Sequence, residues 1–261
     1  MTKRLLVCDI GNTQIVFGLY HGKTLRGQWR LSSQHAMTAD ELAWQMRGMF
    51  QELEQDPQEV SGIMVASVVP RADRVLADAC QRICGRQPAF IGSPDVKTGM
   101  AVDYKNPREV GADRIANAVA ARASFGSPVI VLDCGTATTF DIVSPEGHYA
   151  GGLILPGMEI SLEALVARAA KLPSVPLAAL PFAIGRDTTS SMQLGSYWGT
   201  VEALRGLIGR LRKLNGHAST PVVATGGLAP MLVPQIPEIS AHVPELTLQG
   251  LMLLGHRHFQ H

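Results

Sequence analysis

A chain of 261 residues with 46% hydrophobic and 17% charged content has the make-up of a compact soluble protein rather than a disordered one. Its formal net charge of +1 excludes a general electrostatic attraction to nucleic acid or membrane, and no apolar run approaches the ~20 residues of a membrane span. The start, MTKRLLVCDIGNT, has too short an apolar run for a secretory signal and is broken at Asp9, so a cytoplasmic protein is expected.

Residues 4 to 20 are nearly all apolar around DIGNTQ, which predicts two adjacent central strands joined by a turn. His21-Gly22-Lys23 is a hairpin turn into a strand from Thr24 to Leu31. Thr38 to Glu54 places Leu42, Met46, Met49, Phe50 and Leu53 at helical spacing, with Thr38 and Glu41 as a capping box. A buried strand from Gly62 to Val69 stops at Pro70, an amphipathic helix runs from Arg71 to Cys84, and Phe90-Ile91-Gly92 suggests a further short strand. After the turn-rich Met100 to Pro107, Gly111-Ala112-Asp113-Arg114 leads into a helix ending at Phe125. Asp113 in its first turn has two readings: a plain partner for the helix dipole, or, with Gly111, Arg114 and Tyr104 nearby, part of a pocket rim.

Val129 to Val143, VIVLDCGTATTFDIV, is a strand ending on Asp133, a turn over Gly135 and three threonines, and a second strand. Gly147 to Leu155 is apolar and rich in glycine, ending at Pro156-Gly157, so backbone comes close to something there. Ile160 to Ala170 is a helix, and Lys171 to Ile184, punctuated by Pro173, Pro176 and Pro181, is too apolar for a free linker and is expected to pack as a flap or interface segment. Gly185 to Ser191 is a polar turn opening a long helix whose buried stripe is Tyr197, Val201, Leu204, Leu207, Leu211 and Leu214. Pro221 to Thr225 is a strand running into Gly226-Gly227, either a bare turn or a place where a nucleotide lies against backbone. The tail holds His256, His258 and His261 without a second ligand cluster, a frayed terminus rather than a metal site. Cys8, Cys80, Cys84 and Cys134 form no CxxC pair and read as buried free thiols.

The first hairpin and the central one share a grammar. Setting Asp9 on Asp133, 124 residues apart, sets Gly11 on Gly135, with Asn12 and Thr13 opposite Thr136 and Ala137, which reads as a duplicated unit. Each turn offers a carboxylate on a rigid edge, a glycine that admits close approach, and hydroxyl donors suited to an anion. Neither is GxxxxGK[ST] or GxGxxG. Two such turns facing each other could grip a polyphosphate, which fits phosphoryl transfer: the protein positions the donor, neutralises charge with metal ions and orients an acceptor hydroxyl. Asp113 is then the candidate proton acceptor, because Asp9 and Asp133 sit where cations or their waters are held.

DIGNT at Asp9 to Thr13, GADR at Gly111 to Arg114, DCGTATTFD at Asp133 to Asp141, GG with PG at Gly151 to Gly157, and TGG at Thr225 to Gly227 together resemble the type III pantothenate kinases across essentially the whole chain. Those enzymes belong to the acetate and sugar kinase, Hsp70 and actin superfamily. The resemblance implies an α/β fold of two duplicated ribonuclease-H-like domains, 1–115 and 116–261, with mixed central sheets flanked by helices and a nucleotide cleft between them. It implies ATP-dependent phosphorylation of pantothenate to 4'-phosphopantothenate, the first step of coenzyme A biosynthesis, with Mg2+ accompanying ATP and a monovalent cation, potassium or ammonium, also required.

Residue by residue, the resemblance implies that Asp9, Ile10, Gly11, Asn12, Thr13, Gln14, Ile15 and Val16 form the first ATP phosphate loop and that Thr136 contacts ATP from the second. Asp133 would bind the monovalent cation, Asp113 would be the base, and Tyr104, Gly111, Ala112 and Arg114 would hold pantothenate. Thr188 matches the threonine of the family's G-K/R-N-T segment, which reaches the substrate from the partner subunit of a homodimer; here Asp187 replaces the usual asparagine. The long helix from Met192 to Leu214 is expected as interface material. Two alternatives stand beside this reading. One is a non-catalytic accessory regulator of transcription, which no helix-turn-helix pattern or basic stripe supports. The other is a phosphatase or polyphosphate hydrolase on the same scaffold, which needs an acid that activates water.

Overall fold

The computed structural model describes residues 4–33, 37–214 and 218–259. The first hairpin is β1 (Arg4–Ile10) and β2 (Gln14–His21), which turns at Gly22 into β3 (Thr24–Ser32). α1 (Ala39–Glu52) starts on the expected capping box: the Glu41 N–H donates to the Thr38 hydroxyl at 3.2 Å, and the Thr38 N–H donates to the Glu41 carboxylate at 2.7 Å. β4 (Val60–Ser67) is followed by α2 (Pro70–Cys84), so Pro70 opens the helix as well as ending the strand; a proline there lacks only an N–H that has no intrahelical partner. β5 (Ala89–Phe90) and α3 (Ala112–Phe125) complete this half. The second half runs β6 (Val129–Cys134), β7 (Ala137–Val143), β8 (Tyr149–Pro156), α4 (Met158–Arg168), α5 (Thr188–Leu214), β9 (Val222–Thr225), α6 (Ala229–Leu232), β10 (Ala241–His242) and α7 (Leu246–Phe259). No helix among the described residues is long and apolar enough to cross a membrane.

The first sheet has the order β3-β2-β1-β4-β5 and the second β10-β9-β6-β7-β8. Read from opposite ends, the orders coincide: in each, an antiparallel three-strand meander is extended by two parallel strands. These are two duplicated ribonuclease-H-like units, and the match extends to register. Asp9 stands between Val16 and Ala66, Asp133 between Thr139 and Thr225. The gapless setting of the two hairpins fails one residue into the turn. The Gly11 N–H donates to the Gln14 carbonyl at 2.9 Å, whereas the Gly135 N–H donates to the Ala137 carbonyl at 3.0 Å, so the second turn is one residue tighter.

Each sheet buries a face under its own helices. Leu6, Cys8, Phe17 and Val65 meet Met46 and Phe50 of α1 and Leu76 and Ile83 of α2. In the second unit Ile130, Leu132 and Phe140 meet Tyr197, Val201, Leu204 and Ile208 of α5. The α5 stripe is therefore spent on its own core; Leu207 is only partly buried and Leu214, expected inside, is 85% exposed. The proline-punctuated segment, expected as a flap or interface segment, packs on α5 as an apolar strap. The Trp198 Nε1–H donates to the Leu180 carbonyl and the Gln193 amide to the Pro176 carbonyl, both at 2.9 Å, while Val175 is buried.

By packing, the first unit takes the described residues up to Ala120 and again from Glu245, and the second is Ala121–Pro244. The sequence division at 115/116 leaves out this return of α7. It rests on long-range fit: a Cβ added at Gly62 or Gly255 would run into Phe259 or Leu5 respectively, and one at Gly18 would stand 3.2 Å from Leu248. The tail is accordingly helical to Phe259 rather than frayed, and the His256 Nε2 donates to the Gly22 carbonyl at 2.8 Å; His261 lies outside the described residues. All four cysteines are buried free thiols, with burial pushing Cys84 and Cys134 up to about 12.

Candidate active site

In the first unit β1 delivers Asp9, half-buried, to the edge of the sheet beside the turn. Burial, then Cys80, Asp9 and Asp73, hold the Cys8 thiol well above its ordinary range, so it stays protonated there. Asn12 and Gln14 are exposed and Gly11 and Thr13 half-buried, whereas the side chains of Ile10 and Ile15 lie in the core and leave only backbone for a ligand. The Ser33 N–H ties the turn to β3 through the Thr13 carbonyl at 3.0 Å. At the last paired residue of β4, the Ser67 hydroxyl donates to Asp73 at 2.5 Å, a contact with no signal in the sequence because it joins a strand end to a helix start.

Asp113 lies in the first turn of α3, half-buried. Its Oδ1 accepts the Arg114 N–H at 2.8 Å, and a Cβ on Gly111 would stand 2.5 Å from that same oxygen. Gly111 is thus the residue that lets the carboxylate lie back over the helix entry. Oδ2 has no hydrogen bond among the described residues. Asp113 thus complements the helix dipole with one oxygen engaged by the Arg114 N–H and the other outside that bond. Ala112 and Arg114 are buried beside it, and Tyr104 is 37% exposed in the preceding loop of the same unit.

In the second unit the turn after Asp133 is walled by two glycines. Gly226, at φ +92, follows β9, and a Cβ there would stand 2.5 Å from Asp133 Oδ1 and 2.6 Å from the Cys134 carbonyl oxygen. Gly157 caps α4, and a Cβ there would run into the carbonyls of Thr136 and Gly135. Its N–H donates to the Thr136 carbonyl at 3.2 Å. The glycine-rich stretches therefore approach the chain's own turn, which answers what the backbone at PG and TGG comes close to. Thr136 itself is exposed at the tip. A carboxylate oxygen and a carbonyl around a cradle that a Cβ would fill form an all-oxygen donor set suited to a hard cation. Among the described residues no three His, Cys, Asp or Glu side chains group as a metal cage, so a divalent ion fits here only with substrate phosphates and water supplying most of its shell. Two residues along β7 from the partner of Asp133, Asp141 is fully buried and accepts the Tyr149 hydroxyl at 2.7 Å, a contact the sequence pattern did not name.

Thr188 is the first residue of α5, and Asp187 is its cap. The Ser190 N–H donates to Asp187 Oδ1 at 2.8 Å and the Asp187 N–H to the Ser190 hydroxyl at 3.3 Å. These bonds to Ser190 hold the Asp187 carboxyl below its usual range. The aspartate thus performs the capping an asparagine would, with a charge that favours the helix N-terminus. Thr188 opens on a groove of about 760 Å³ between α4 and α5, which Ser161, Leu165, Arg186 and Met192 also line. α4 serves both features: Gly157 closes on the Thr136 turn and Ser161, bonded back to the Gly157 carbonyl, faces the groove. Within the first unit the structure describes Asp9 to Val16, Tyr104 and Gly111 to Arg114; within the second it gathers Asp133 and Thr136 around Gly157 and Gly226, with Thr188 at the far side of α4.

Residues 5–210 match the family model described as type III pantothenate kinase. A type III pantothenate kinase of Moorella thermoacetica is 45% identical over 253 residues, covering 97% of this chain and 99% of the relative. One from Thermomicrobium roseum is 46% identical over 248 residues, 95% of either chain. Among solved structures, a Baf family protein of Campylobacter jejuni superposes with a TM-score of 0.58 at 20% identity, over 95% of this chain and 96% of the other, a likeness of fold.

Proposed function

The chain belongs to the type III pantothenate kinase family, and from that premise we propose how its residues divide the reaction. It is an ATP-dependent kinase that phosphorylates pantothenate, the step that opens coenzyme A biosynthesis. The backbone and side chains of Gly11 to Gln14, flanked by Asp9, Ile10, Ile15 and Val16, take the ATP phosphates, and Thr136 contributes a hydroxyl from the second turn. Asp9 faces the Mg2+ that accompanies ATP, or its waters. Asp133 and the Cys134 carbonyl hold potassium or ammonium, which supplies positive charge beside the phosphates. Arg114 directs its guanidinium at the pantothenate carboxylate or the transferred phosphate, and Tyr104, Gly111 and Ala112 shape that pocket.

In the transfer, the primary hydroxyl oxygen of pantothenate bonds to the γ-phosphorus as the bond from that phosphorus to the β,γ-bridging oxygen breaks. The hydroxyl proton passes to Asp113 Oδ2, and ADP leaves. The half-buried carboxylate supports this role, because the Arg114 N–H orients one oxygen and leaves the other for the proton.

A homodimer is the assembly that brings Thr188 to a substrate. Ile154, Ile160, Leu165, Phe182 and Ile184 are large exposed apolar side chains of the second unit, all on or beside β8, α4 and the strap, and a second copy is what such a surface accepts. A cytoplasmic location accords with ATP as the donor. The observation that carries the reading is the carboxylate-glycine turn repeated at one register in two matched sheets. Its test is formation of phosphopantothenate from pantothenate, MgATP and potassium, with one ADP for each product. ADP released without phosphopantothenate would make the chain a hydrolase, and no turnover would make it the accessory regulator.

A further inference from the structure

We propose that the groove between α1 and the outer edge of β3 takes up an extended acidic segment of a partner protein as an additional strand. Among the described residues β3 pairs with β2 alone, so its outer edge presents a row of backbone N–H and C=O groups. The register shift opposite Leu19 and Tyr20 confines the irregularity to Arg26 and leaves Gly27 to Ser32 regular. Along this regular stretch runs a groove of about 660 Å³, with Gln28 to Leu31 on one wall and Trp44, Arg47 and Gly48 of α1 on the other.

Three features of the groove describe its occupant. First, it is cationic: Arg30 and Arg47 are exposed, neither has an ion-pair partner among the described residues, and no carboxylate lines it. Second, it offers aromatic surface: Trp44 is 74% exposed, and the space beside Gly48 is open. Trp29 has its Nε1–H already donated to Glu52 at 2.9 Å, so its ring serves as wall and not as donor. Third, the Gln45 side-chain oxygen, also in the lining, is buried and accepts no hydrogen bond among the described residues, an acceptor that a peptide N–H meets once the Gln45 side chain turns outward.

A strand added to β3 would meet all three. Its backbone pairs the open edge, its carboxylates on one face meet Arg30, its alternate side chains on the α1 face lie on Trp44, and Arg47 adds positive charge at that rim. A second copy of this chain does not fit, because pairing β3 with itself sets Arg26 and Arg30 among their own copies, and like charges across a strand pair are destabilising. A nucleic acid matches the arginines but not the alternating donors and acceptors of the edge.

The test uses the full chain and three labelled peptides: Ac-Glu-Val-Asp-Val-Glu-Val-NH2, the same peptide with lysine at each acid, and the same with proline at each valine. The expected result is saturable binding of the first alone, with slowed amide exchange at Gln28 to Leu31, and about tenfold weaker binding by Arg47→Glu and by Trp44→Ala. Because both substitutions lie on an exposed face, folding is checked by unchanged Tm. The proposal is overturned if the acidic peptide does not bind up to about 1 mM, if the lysine or proline peptide binds as well, or if protection appears as self-association of the protein without peptide.

Discussion

The two hairpin turns carry the same acid and the same glycine at the end of the same strand of matched sheets, yet their walls differ. Beside Asp9 the parallel strand continues as Ala66 and Ser67, and Ser67 spends its hydroxyl on Asp73 at 2.5 Å. Beside Asp133 it continues as Thr225 and Gly226, and Gly226 has no room for a side chain next to the carboxylate. Gly157 then closes the other side of the second turn, which is already one residue tighter. Duplication accounts for the acids and the strands that hold them. Divergence of the neighbours is what the proposed division of labour rests on: the longer first turn follows phosphates, and the walled second turn frames the monovalent cation.

The largest expected effect tests whether either turn supplies the base. Asp113→Asn should lower kcat by ~100-fold or more while leaving ATP binding intact, as measured by single-turnover kinetics and nucleotide titration. Near-full kcat would move the base into one of the turns and break the division. Next comes the cation. Replacing potassium with sodium should reduce turnover by about tenfold or more, and equal rates would remove the role given to Asp133. Third, the walls themselves can be compared. Gly226→Ala places a Cβ at φ +92 against Asp133, and the KM for ATP should rise by about tenfold, whereas Ser67→Ala, which deletes one hydrogen bond, should stay within about twofold. Equal effects would show that the walls are not what distinguishes the turns.

The smallest effect concerns Asp187. Its carboxyl is held below its usual 3.8 by bonds from Ser190, so its contribution to stability is present above that value and is lost as pH falls through the lowered folded value. Thermal unfolding followed from about pH 5 to pH 2 should show this dependence in the parent and not in Asp187→Asn, which should keep its neutral-pH rate and cap. A Tm that falls alike in both would assign the pH dependence to other carboxylates.

The hairpins, the capping box at Thr38 and the long α5 were legible because each is a local pattern of apolar spacing and cap chemistry. The partners of Gly157 and Gly226 were not, since a glycine signals close approach without naming what approaches. The α5 stripe shows the same limit: its periodicity announces a buried face, but whether that face meets its own sheet or another subunit depends on packing.

By itself the sequence determined the duplicated acid-glycine turns, the family they belong to and Asp113 as the candidate base, because motif residues and strand periodicity are written in consecutive positions. Only the tertiary structure decided that α7 returns to the first sheet, that Asp187 caps α5, and that the second turn is walled by glycines from two distant segments. Those are contacts between residues far apart in the chain, set by how volumes and hydrogen-bond partners meet once the sheets have formed.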